Sequence, residues 1–296
     1  MPRITVVIPT FNCGSLLPQA IKSVLAQSID DFETVIVDDG STDNTKAILD
    51  EYVSDSRVRY VYQENRGLPG ARNSGVRQSD SEYVAFLDAD DELRKDALER
   101  MAEQVARDGS AWCLIDIMKC KPSSREIQRT MIPVGDLSYE ILRDDFMRRG
   151  MFFKRESFLA VGMYDEEMKY REDWDLNIRM FRAGFPYSYV PEPLYLYTWR
   201  PGGITTGNRE KVLGFTEKVV RKHHKTLADS GDSEARRIYS EVMWGMARQF
   251  LYEAHNVNKA FSCARESLTY DFSLGKVVHP LVHHLSRLAA RRVRTV

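Results

Sequence analysis

Asp88, Asp90 and Asp91 follow the apolar run Tyr83-Val84-Ala85-Phe86-Leu87 with only Ala89 between them. Three carboxylates in four positions repel one another unless a cation neutralises them. Hard divalent cations such as Mg2+ or Mn2+ take oxygen ligands and bridge carboxylates to phosphates. Ligands of α/β proteins bind in the crevice beyond the carboxyl ends of parallel strands, so the cluster reads as a metal–phosphate site. The competing reading is a solvated acidic loop in which Asp91 caps a helix over 93–107. Two more acids, Glu172 and Asp173, open a helical stretch in which Trp174, Ile178 and Phe181 share a face and Gly184 marks the end. A helix N-terminus stabilises negative charge there, and ordinary first-turn acids would give the same pattern.

The elements that must position these acids are legible in the hydrophobic pattern. Residues 4–8 form a continuous β-branched run, as expected of a strand buried on both faces, and Pro9 stops it. Apolar residues then recur at helical spacing over 15–27. A second buried strand, 32–37, ends in Asp38-Asp39-Gly40-Ser41-Thr42-Asp43, where Ser41 or Thr42 caps a helix with Ala47, Ile48, Tyr52 and Val53 on its apolar face. A strand at 58–62, a helix at 68–77 and a strand at 83–87 complete the series. Strands alternating with helices mean βαβ units and a parallel sheet. Three strand ends, at Pro9–Asn12, Asp38-Asp39 and 88–91, then point to one edge and line one crevice. G-x-G-x-x-G is absent after the first strand and G-x-x-x-x-G-K-[ST] is absent throughout. That excludes a dinucleotide enzyme or P-loop ATPase of the usual kind.

From Trp112 the pattern changes. A strand is expected over 112–118, a mobile polar loop over 119–135, a helix over 139–149, a short strand over 151–153 and an extended aromatic stretch over 191–199. Residues from 208 onward look all-helical, with Val219, Val220, Met243, Met246, Phe250, Leu251 and Phe261 as core candidates.

The 296 residues suffice for one large or two small cores. A hydrophobic content of 43% and a formal net charge of −1 describe an ordinary globular chain and argue against nucleic acid as a partner. Cys13, Cys113, Cys120 and Cys263 are scattered, with no C-x-x-C pair, which favours a reducing, cytoplasmic compartment. The N-terminus lacks a signal-peptide layout, and no apolar run reaches the length of about 18 residues that a membrane span needs.

Taken together, Val7-Ile8-Pro9-Thr10-Phe11-Asn12, Val37-Asp38-Asp39-Gly40-Ser41-Thr42-Asp43, Asn65-Arg66-Gly67 with Ala71-Arg72-Asn73-Ser74-Gly75, Phe86-Leu87-Asp88-Ala89-Asp90-Asp91 and Glu172-Asp173-Trp174-Asp175-Leu176 resemble the family 2 glycosyltransferases of GT-A fold. The match runs over roughly residues 4–206, and the order of the motifs makes it specific where each alone is not. The resemblance implies a Rossmann-like, mostly parallel α/β sheet flanked by helices. It divides the chain into a nucleotide-sugar-binding half (1–115), an acceptor-binding half of the same domain (116–207) and a helical C-terminal extension (208–296).

It further implies an inverting transferase, serving polysaccharide or glycolipid synthesis, that moves a sugar from a nucleotide-diphosphate donor such as a UDP-sugar to a hydroxyl of a saccharide or lipid-linked saccharide. Pro9 and Phe11 would flank the base beside Thr10 and Asn12, and Asp39 would accept a uracil-type imide N–H. Arg72 would lie near base or phosphates. Asp88, with Ala89 beside it, would hold the ribose or assist the metal, and Asp90 would ligate Mn2+ or Mg2+. Asp173 would be the general base, supported by Glu172. One departure stands out: Arg200 falls about where many relatives carry a metal-proximal His, and it would clamp the diphosphate instead. Two competing readings are an inactive nucleotide-sugar-binding scaffold and a sugar-1-phosphate nucleotidyltransferase. The complete acid set argues against the first, and the lack of a Gly-rich N-terminal loop with a basic residue argues against the second.

The C-terminal stretch 275–296 alternates Val277, Val278, Leu281, Val282, Leu285 and Leu288 with Arg287, Arg291, Arg292 and Arg294. It reads either as a packed helix with a solvated basic end or as a peripheral contact with an anionic membrane face. His279, His283 and His284 have helical spacing but no acidic or thiol partner nearby for a metal.

Overall fold

The computed structural model describes residues 3–146, 150–200 and 209–271. The chain divides into two compact units, Met1–Gly207 and Asn208–Val296. The basic stretch 275–296 with its three histidines, and the 201–206 part of the loop after the aromatic stretch, lie outside the described residues.

In the first unit, β1 (Ile4–Thr10), β2 (Phe32–Asp38), β3 (Val58–Tyr62) and β4 (Tyr83–Phe86) alternate with α1 (Leu17–Leu25), α2 (Thr45–Leu49) and α3 (Leu68–Arg77). Then come β5 (Glu92–Leu93), α4 (Ala97–Asp108), β6 (Trp112–Lys121), β7 (Ser124–Gln128), α5 (Leu137–Arg143), β8 (Gly150–Lys154), α6 (Arg155–Ala160), α7 (Glu172–Arg182) and β9 (Tyr187–Thr198). Among the described residues, nine strands make one sheet in the order β3-β2-β1-β4-β8-β6-β9-β5, with β7 paired to β6. Its first four strands are parallel and β8 runs antiparallel between β4 and β6. The helix-flanked sheet is as expected, and the alternation of patterns predicts its parallel part, β1–β4; the antiparallel pairing of β8, β7 and β5 makes the whole sheet mixed. Every residue of β1 is buried, and β2 is buried on both faces, which is why their sequences run apolar instead of alternating.

Several local expectations are corrected. Pro9 does not stop β1, which pairs with β2 through Thr10. The carbonyl of Thr10 faces β2, where it accepts from Asp39 N, so Pro9, one residue back, turns its missing N–H toward β4. The β4 ladder has already finished at Phe86, opposite Val7, so no bond is lost there. Ser41 and Thr42 do not cap α2. Their backbone N–H groups go to Asp38 and Asn12, while Asp43 accepts from Thr45 N just before the helix. The buried side of α2 is Thr45 and Leu49, and Val53 is exposed. Asp91 does not cap a helix over 93–107, because Leu93 lies in β5 and α4 begins at Ala97. The 119–135 stretch is not a loop throughout: β6 runs on to Lys121 and folds back as β7. All of β7 is exposed, so neither face leaves an apolar stripe for the sequence to reveal. α5 ends at Arg143, shorter than expected.

In the second unit, α8 (Arg209–Val220) passes through one π-helical turn, Arg221–Lys225, into α9 (Thr226–Asp229), followed by α10 (Ser233–Tyr252) and α11 (Val257–Tyr270). Asp232 and Asn256 cap α10 and α11 by accepting from Ala235 N and Lys259 N. Val219, Val220, Met243, Met246 and Phe250 are core, whereas Leu251 and Phe261 are exposed.

α3 lies against β1 at Gly75, where an added Cβ would come within 2.3 Å of Val7 Cγ1. Gly75→Ala is therefore expected to destabilise the first unit by about 1–3 kcal/mol through overpacking. Pairing it with Val7→Ala should cost less than the two changes summed, as read by urea unfolding.

Candidate active site

The centre of the site is Arg72 on α3. Its guanidinium is 3% exposed. One terminal nitrogen donates to Asp88 Oδ1 at 2.8 Å, and the other donates to Glu172 Oε1 at 3.1 Å and Asp173 Oδ1 at 3.4 Å. It also lies over the Tyr164 ring, 5.2 Å from the centroid, while Nε has no hydrogen-bond partner. The strand end of β4 and the first turn of α7 therefore meet on one buried cation. Arg171, at the N-cap of α7, takes a left-handed φ of +62°, which turns the chain so that Glu172 and Asp173 enter the helix facing Arg72.

These acids differ in environment. Glu172 is buried, and desolvation, reinforced by the Asp173 charge beside it, pushes its carboxyl up to about 8 against the lowering effect of Arg72. Asp173 keeps a quarter of its side chain in solvent. Asp145, which sequence reasoning missed, joins the same acidic neighbourhood. Desolvation pushes it up to about 7, opposed by the hydrogen bond from Asn177. Nothing in its local sequence marks it, since its setting is made by α7.

Asp88, Asp90 and Asp91 present ligand atoms within 4.8 Å of one another. Asp91 is buried, and both of its oxygens hold β9: Tyr195 Oη donates to one at 2.7 Å and Thr198 N to the other at 2.7 Å. Tyr195 Oη in turn accepts from Asp88 N. Asp91 is thus a pin between the acidic turn and the last strand. Its partner Tyr195 was also missed, because its signal is lost among the aromatics of β9. Asp88 and Asp90 remain partly exposed and supply hard oxygen donors, a set that fits Mg2+ or Mn2+. Arg200 forms an ion pair with Asp90.

The other expected residues gather at the ends of β1 and β2. Asp39 is buried and accepts from Gln63 Nε2, Arg66 N and Gly67 N at 2.6–2.8 Å, so it orders the turn into α3. Gly67 there has a φ of +82°, the left-handed region that favours glycine. Asn12 Oδ1 accepts from Thr42 N and Asp43 N and ties the two strand ends together. Phe11 is 48% exposed, Thr10 is buried with an Oγ1 that has no hydrogen-bond partner, and Ala89 is buried in the acidic turn. The arrangement offers a carboxylate partly open to solvent on one side and an acidic turn of hard oxygen donors on the other, joined by Arg72.

Residues 5–164 match the family model described as Glycosyl transferase family 2. The chain is 30% identical over 285 residues to the GalNAc(5)-diNAcBac-PP-undecaprenol beta-1,3-glucosyltransferase of Campylobacter jejuni, covering 91% of this chain and 89% of that protein. It is 27% identical to the uncharacterized glycosyltransferase EpsJ of Bacillus subtilis, covering 69% of this chain and spanning 63% of that protein's length. The crystal structure of S. aureus TarS 1-349 in complex with UDP-GlcNAc aligns with a TM-score of 0.68 at 20% identity, covering 90% of this chain and 80% of that one. That likeness shows the shared fold.

Arg72→Lys keeps the charge but loses the planar fork that reaches three carboxylates. It should destabilise the first unit by about 3 kcal/mol, read by urea unfolding. A raised carboxyl pKa means that the folded chain retains a proton the unfolded chain has released. Stability should therefore fall as pH rises from the ordinary glutamate value of 4.5 through about 8. Glu172→Gln should flatten that slope, as read by unfolding series at pH 5 and pH 8.5.

Proposed function

The chain belongs to glycosyl transferase family 2, and from that premise we propose that it moves a sugar, with inversion, from a UDP-type nucleotide-diphosphate donor to a hydroxyl acceptor. The observation that carries this reading is the opposition of Asp173 to the Asp88–Asp90 turn across the single guanidinium of Arg72. Inversion asks for a base on one face of the anomeric carbon and charge neutralisation on the other, with no covalent intermediate. Asp173, partly open to solvent, takes the proton of the acceptor hydroxyl as the new bond forms. Glu172, held protonated by burial, supports the first turn of α7 without adding a second full charge.

On the donor side, Asp88 and Asp90 hold Mn2+ or Mg2+. When bound, the metal neutralises the charge growing on the departing diphosphate. Arg200 exchanges its bond to Asp90 for one to a phosphate oxygen. Pro9, Thr10, Phe11, Asn12 and Asp39 form the base and ribose end, supported by the unpartnered hydroxyl of Thr10 and the exposed ring of Phe11. Arg72 positions Asp88 and Asp173 relative to each other, and it stands beside the base and phosphates as a member of the nucleotide-sugar site. Residues 1–115 supply the donor half and 116–207 the acceptor half, with 208–296 as an extension. The acceptor is a saccharide or lipid-linked saccharide of envelope polysaccharide synthesis, by analogy with the C. jejuni relative, whose name carries an undecaprenol-linked one.

UDP-sugars are expected to raise the melting temperature only when Mn2+ or Mg2+ is present, and no response to any nucleotide sugar would overturn the reading. Asp173→Asn should lower turnover by about 100- to 10,000-fold while leaving the donor-induced thermal shift intact. Wild-type turnover in that variant would remove Asp173 from the role of base.

A further inference from the structure

The ribbon formed by β6 and β7, with the loop that follows it, carries a surface that the transfer chemistry does not use. Residues directly opposite across an antiparallel pair share a sheet face. The register therefore sets Met118, Ile127, Cys120 and Arg125 on one face and Lys119, Glu126 and Lys121 on the other. Beyond β7 the chain is anchored back by Thr130, whose N–H donates to Asp116 Oδ1 and whose hydroxyl donates to the carbonyl of Ile115, both at 2.8 Å. Past that anchor, Met131 is 75% and Val134 100% exposed, and Ile127 before it is 47% exposed.

Charged residues on an exposed edge strand have an ordinary purpose, to discourage edge pairing. That accounts for Arg125 and Glu126. It does not account for Met131 and Val134, which lie beyond the strand. Between residues 117 and 136 there are four basic side chains, Lys119, Lys121, Arg125 and Arg129, two acids, Glu126 and Asp136, and no aromatic residue. A saccharide chain is bound by aromatic platforms and paired polar groups. Apolar tips flanked by cations instead match an anionic lipid surface, with the tips below the headgroups and the cations among them. The turn end of the ribbon adjoins the acidic site, and Thr130 anchors the loop at the opposite end. Lys119 and Cys120 lie opposite Tyr197 and Thr198 of β9, Trp199 N donates to the carbonyl of Cys120, and the next residue, Arg200, pairs with Asp90.

We propose that β7 and the loop through Val134 form a docking surface for an anionic membrane. This contact is separate from the basic stretch 275–296 and does not depend on the enzymatic reading. The test is sedimentation of the full chain with phosphatidylcholine vesicles, with or without about one third phosphatidylglycerol. The wild type should partition to the anionic vesicles and lose that partitioning at high salt. Met131→Ser with Val134→Ser, and separately Arg125→Glu with Arg129→Glu, should each weaken partitioning by about tenfold or more with melting temperatures unchanged. The proposal is overturned by a wild type that stays in the supernatant, by equal binding to neutral vesicles, or by wild-type partitioning in either double variant.

Discussion

A guanidinium taken out of water must be compensated, and in this protein that requirement is met by Arg72 alone reaching three carboxylates from two distant parts of the chain. Asp88 lies 16 residues away and Glu172 lies 100 residues away, so the bond network closes the sheet end of β4 onto the first turn of α7. Burying an ion pair is not in itself a strong source of stability. Its effect is geometric: one guanidinium holds the first turn of α7 against the end of β4. With three acids against one arginine the cluster stays electron-rich, and the proton retained by Glu172 relieves it.

Around that pair the sheet works as a positioning frame. Parallel strands buried on both faces bring the ends of β1, β2 and β4 to one edge, and β9 returns to complete the rim. Asp91 and Tyr195 make that return exact to the residue, because the carboxylate accepts from both a side chain and a backbone N–H of β9. The consequence reaches Arg200, two residues beyond Thr198, which is delivered to Asp90. Arg200 thereby holds a carboxylate of the acidic turn, the same group that offers a hard oxygen donor.

Part of this organisation was written in the chain. The hydrophobic periods of 4–8, 32–37, 58–62 and 83–87 determined the parallel core, because strands buried on both faces have to be apolar throughout. The ordered motifs determined the family and picked out Asp39, Arg72, Asp88, Asp90, Glu172 and Asp173, since strand-end and helix-start acids are local features. Only the tertiary structure decided which partners each acid has and how far it is buried. Asp91 looked like a helix cap until β9 arrived to use it. Arg72 looked equally like a surface cation until Glu172 and Asp173 of α7 closed on it. Asp145 gained its raised pKa from burial beside α7, whose Asn177 is remote in sequence. The reason is physical: periodicity records the average environment of a segment, whereas desolvation and hydrogen-bond partnership belong to single side chains and exist only once distant elements have closed around them.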